Sequence, residues 1–102
     1  MLNRVLPYQL DETGLNYLYK AVQTDDHSGT EDEVIAAIYD DDYRLFQWET
    51  ETENLIFITS ISTQRDGYRE FVVDMMAGHG AAEGQDEIMD AVAERAVEYG
   101  CN

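Results

Sequence analysis

The 102-residue sequence predicts an α+β fold of order α-α-β-β-β-α, a three-stranded antiparallel sheet covered by helices, in a single domain over 1–102. Three observations carry this. The run NLIFITSIS at 54–62 is apolar on both faces, with Leu55, Phe57 and Ile61 on one and Ile56 and Ile58 on the other. That pattern belongs to a strand in the middle of a sheet. The pair Asp66-Gly67 is a hairpin turn signal between this run and the next apolar segment. Amphipathic stretches with cap residues lie on both sides of the strands, so helices are available to cover them.

In chain order, Asp11 can cap a helix over 12–23, whose inward residues are Leu15, Leu18, Tyr19 and Val22. Gly14 weakens its first turn. The polar run 24–29 is a loop. Thr30 and Glu33 have the T-x-x-E spacing of a capping box and open a helix over 31–39, with Val34, Ile35, Ile38 and Tyr39 inward. Asp40, Asp41 and Asp42 oppose the helix dipole and end it; they lack the alternating ligands and turn glycine of a calcium loop. Strands follow over 43–48, 54–62 and 68–76. In the third, Phe71, Val73 and Met75 are expected on one face and Val72 and Met76 on the other. The last helix, 85–99, carries a core stripe of Ile88, Met89, Val92, Ala96 and Tyr99, and Gly100 suits the left-handed position that closes it.

Composition narrows the function classes. Asp and Glu number 22 against 6 Lys plus Arg, a formal net charge of −16. Such a surface repels phosphates and anionic lipid, which argues against direct nucleic-acid or membrane binding. Solubility, a salty medium or a basic partner are the three uses of so much charge. No apolar run approaches the length of a membrane span, and MLNRVLPYQL has no secretory pattern. A soluble intracellular, or virion-borne, protein is expected. Cys101 is the single cysteine, and His27 and His79 have no spaced ligand pattern around them, so no metal site is expected.

Candidate chemistry concentrates in the loop expected at 77–84, AGHGAAEG, where glycine lets backbone amides approach a ligand. Its candidate cofactor-binding residues are Gly78, His79, Gly80 and Ala81; the competing reading is an ordinary strand-to-helix turn. His79 is either a phosphate contact or general base, or an exposed loop histidine. Glu70 and Asp74 are either a base or solvent-facing strand carboxylates. No Ser-His-Asp or Cys-His arrangement can be assembled, so no catalytic residue is assigned. Tyr8, Tyr43, Trp48 and Tyr68 are expected at the surface, as interface anchors or as cover for core edges.

The succession of a helical pair through EDEVIAAIYDDDYRLFQWET, the strand NLIFITSIS, the strand YREFVVDMMAGHG and a helix ending AERAVEYGC resembles the GNAT (Gcn5-related N-acetyltransferase) superfamily. It resembles more closely the small GNAT-like proteins encoded by tailed bacteriophages. In active members, Arg/Gln-x-x-Gly-x-Gly/Ala before the long helix holds the pyrophosphate of acetyl-CoA. The matching stretch here is Met75-Met76-Ala77-Gly78-His79-Gly80: the glycines fit, and methionine replaces the polar first position. The family continues into a further strand and helix that complete the cleft, whereas this chain ends at Asn102.

The resemblance therefore implies a non-catalytic GNAT-like phage protein, a virion structural or assembly component working through contacts with virion proteins, with homo-oligomers among the options. The alternatives are an acetyl-CoA-dependent N-acetyltransferase, and an acidic inhibitor of a basic host protein. Salt should raise the thermal stability of so acidic a chain, because the Debye length falls from about 10 Å at 0.1 M to about 3 Å at 1 M ionic strength. Melting temperature across that range in a non-denaturing salt checks this; an unchanged or lower value counts against self-repulsion.

Overall fold

The computed structural model describes residues 2–24, 30–79 and 85–101. Within them the chain forms β1 (Leu2–Val5), a 3-10 turn (Pro7–Gln9), α1 (Glu12–Gln23), α2 (Glu31–Tyr39), β2 (Arg44–Glu49), β3 (Asn54–Thr63), β4 (Arg69–His79) and α3 (Gln85–Glu98). The fold is α+β, with every strand antiparallel to its neighbours in one sheet of order β1-β2-β3-β4. The segment expected in the middle is flanked on both sides, by β2 and β4.

Four strands replace the expected three. The additional one, β1, pairs Leu2 with Trp48 and Val5 with Leu45. Its two apolar residues are three apart, so they fall on opposite faces of the sheet and leave no alternation in the sequence.

The helices start where their caps predict. The Asp11 carboxylate accepts from the Gly14 N–H at 2.8 Å, and the Thr30 hydroxyl from the Glu33 N–H at 3.2 Å. At the end of α2, Asp41 takes a left-handed φ of 64°. The N–H groups of Asp41 and Asp42 turn back onto the carbonyls of Ile38 and Ala37. Aspartate tolerates this conformation better than most side chains. The Asp41 carboxylate also meets the Arg4 guanidinium of β1 at 2.7 Å. Gly100 closes α3 with φ 74°, its N–H reaching the Val97 carbonyl while that of Cys101 reaches Ala96. Gly67, at φ 85°, closes the β3–β4 hairpin.

Both faces of the sheet are buried, giving three layers. On one, Leu45, Ile56, Ile58 and Met75 pack against Leu18 and Val22 of α1 and Val34 and Ile38 of α2. On the other, Leu2, Phe46, Trp48, Leu55 and Phe57 pack against Ile88 of α3, with Phe71, Val92 and Tyr99 at the margin. Phe46, Phe71 and Tyr99 form an aromatic cluster with ring centroids 6.1–6.4 Å apart. The Arg44 guanidinium sits 4.7 Å from the Tyr99 ring centroid.

Several expected core positions are corrected. Tyr39 and Met89 are exposed, because their helices turn Val34/Ile38 and Ile88/Val92 to the sheet instead. Trp48, expected at the surface, is buried against Leu2 and α3. The faces of β4 also change along its length. Ile58 pairs with Met75 but Thr59 pairs with Val73, so Asp74 is a bulge. Phe71 therefore joins the α3 side while Met75 joins the helix pair, where simple alternation would have put them together.

Phe46, 1% exposed, is the largest fully buried side chain among the described residues. Phe46→Ala is expected to lower unfolding stability by about 3–5 kcal/mol. Urea denaturation checks it, through a reduced midpoint at an unchanged m-value.

Candidate functional site

The strand β4 carries the described half of the candidate site, Gly78 and His79. It runs to His79, three residues beyond the expected end, so Gly78 and His79 are ladder residues opposite Leu55 and Asn54. Gly80 and Ala81, the other two candidate cofactor-binding residues, lie outside the described residues.

Gly78 has φ 141°, and a Cβ built on it would sit 2.1 Å from the Asn54 carbonyl oxygen and 2.7 Å from the Leu55 Cα. Glycine is required here because two backbones meet closely, which accounts for the residue with no ligand in the argument. The sequence signal that suggested a phosphate cradle has a packing cause at this position.

His79 is exposed, and its Nδ1 is hydrogen-bonded to the Tyr17 hydroxyl of α1 at 2.5 Å. The two rings lie 5.7 Å apart and tilted. Beside them Asn54 is buried, and its side-chain oxygen accepts from the Gln47 amide at 3.2 Å. By register, Tyr17, Gln47, Asn54 and His79 gather on the helix-pair face at one end of the sheet. With Nδ1 engaged, Nε2 is the ring atom left to meet solvent or a partner, as donor or acceptor according to the tautomer. Such a cluster can position a polar group by hydrogen bonds. Tyr17 was not singled out from the sequence; its spacing of three from Gly14 and four from Ala21, both buried, is the signal that places it toward the sheet.

The other sequence candidates stay apart. Glu70 and Asp74 are exposed on β4, Asp74 at the bulge, and neither reaches His79. Cys101 is a free, buried thiol. Among the described residues no group of three or more His, Cys, Asp or Glu could hold a metal ion. No helix among them is long and apolar enough to cross a membrane.

The long side of β4 is the second feature. Among the described residues this strand of 11 pairs only with β3, so its outward N–H and C=O groups have no strand partner. Val73 and Met76, 41% and 53% exposed, stand along the same strand. By register with Thr59 and Phe57 they face the α3 side, where α3 itself packs nearer β1 and β2.

Gly78→Ala is expected to destabilise the fold by about 2–4 kcal/mol, combining a positive φ with an impossible contact. Thermal or urea unfolding checks this, and loss below about 1 kcal/mol would contradict the close-approach account. Comparison with protein-family models, with curated proteins and with solved structures finds no match to this chain, so the functional reading rests on this geometry.

Proposed function

We propose that this is a non-catalytic contact protein that takes a strand from another chain along β4. The carrying observation is the open edge: among the described residues β4, 11 residues long, is paired on one side only, and Val73 and Met76 are exposed beside it. Strand addition uses such an edge twice, main-chain hydrogen bonds supplying affinity and alternate side chains supplying specificity. Charge selects the partner. At −16, two copies repel one another, so a neutral or basic chain is favoured over self-pairing.

The setting proposed is a phage particle, with the protein as a structural or assembly component in contact with virion proteins. The resemblance to small GNAT-like phage proteins motivates it, and the order of two helices, three consecutive antiparallel strands and a helix supports the fold half of that resemblance. The catalytic half has less support, since Gly78 has a packing reason to be glycine.

Mass spectrometry of purified particles is expected to find the chain at a fixed stoichiometry. Val73→Lys/Met76→Lys should fold, because both residues are exposed, yet be missing from particles, because charge on an edge blocks pairing. Absence of the wild-type chain, or undiminished incorporation of the variant, contradicts the reading. Acetyl-CoA is expected to leave the melting temperature unchanged; a ligand at a hundredfold excess over its Kd would add about 2.7 kcal/mol. A clear upward shift would return the acetyltransferase alternative to first place.

A further inference from the structure

At the opposite edge of the sheet from β4, a shallow cleft of about 430 Å³ opens between α3 and the β1–β2 pair. Leu2 and Trp48 line it from the strands, and Glu87, Asp90, Glu94 and Arg95 from the helix. Spacings of three and four put the three carboxylates on one helical face. None of them has an ion pair or hydrogen bond among the described residues. Arg95 does not neutralise them, because its guanidinium is committed to Glu98 at 2.8 Å and to the Leu2 carbonyl at 2.7 Å.

Trp48 supplies an independent observation. The side chain is only 6% exposed and lines the same cleft, and its Nε1–H has no acceptor among the described residues. Buried donors are nearly always satisfied, so an unpartnered indole N–H on a side chain that lines the cleft asks for an acceptor that the described residues do not supply. The carboxylates ask for a cation, and Leu2 with the indole ring asks for an apolar stem. A peptide bearing lysine or arginine offers all three: a backbone carbonyl, a charged tip and a methylene chain between them.

We infer that this cleft binds a lysine- or arginine-bearing peptide segment of a partner protein. The cation sits among Glu87, Asp90 and Glu94, the stem lies on Leu2 and the Trp48 ring, and a peptide carbonyl accepts from Trp48 Nε1. The site is separate from β4, so its occupancy stands or falls independently of strand addition there.

Trp48 is the only tryptophan, which makes its fluorescence a reporter at the site. Acetylated, amidated tetra-arginine is titrated into the protein at 0.15 M salt, with tetraglutamine as control. A saturable change in emission with the arginine peptide alone is expected. Glu87→Gln/Asp90→Asn/Glu94→Gln should weaken binding about tenfold or more, since three charge contacts are removed. Asp32→Asn/Asp40→Asn/Asp42→Asn removes the same charge from exposed positions elsewhere and should have a much smaller effect. Absence of binding, binding without a change at Trp48, or equal weakening by both triple variants would overturn the proposal.

Discussion

β3 is apolar on both faces, and the rest of the molecule follows from covering it. Leu55 and Phe57 face one way and Ile56 and Ile58 the other, all nearly inaccessible to water. A strand with two apolar faces needs a helical layer on each side and a strand along each edge. β2 and β4 supply the edges; α1 and α2 cover one face and α3 the other. The two helical layers are unequal. The helix pair brings Leu18, Ala21, Val22, Val34 and Ile38 fully inward, while α3 contributes Ile88 as its buried residue and leaves Met89 and Val97 exposed.

That inequality places the two surfaces proposed above for contact with other chains. Because α3 lies toward β1 and β2, the α3 face of β4 is left open at Val73 and Met76. A cleft remains where the helix meets Leu2 and Trp48. With only six Lys plus Arg in the chain, much of the acidic surface has no internal counter-charge. Two of the six are ion-paired among the described residues, Arg4 of β1 with Asp41 and Arg95 with Glu98 within α3. The proposed partner, a basic or neutral protein chain, is chosen because uncompensated carboxylates repel a second copy or a nucleic acid.

Much of this was legible before the structure because local chemistry and tertiary packing agree. Asp11 and Thr30 cap their helices, Gly67 turns its hairpin and Gly100 closes α3, each for a reason visible within a few residues. What was not legible depends on distant partners. β1 is a strand only because β2 accepts it, its apolar residues being on opposite faces. Trp48 is buried because Leu2 pairs opposite and α3 closes over it. The Asp74 bulge reverses which side Met75 faces, and no period-2 reading anticipates an inserted residue. Gly78 was ambiguous for a physical reason: glycine serves close strand approach and ligand cradles equally, and the Asn54 carbonyl beside it shows the first of these at work.

The central claim is that β4 is a stable strand with one free side. Amide hydrogen exchange of the isolated protein tests it most directly. Along β4, N–H groups directed at β3 should be protected while the alternate, outward ones exchange quickly. Within β3, both sets should be slow over residues 54–59, because that part is paired on each side. Uniform protection along β4 would mean that the edge is already covered, and uniformly fast exchange that the strand is not formed; either result would contradict the account.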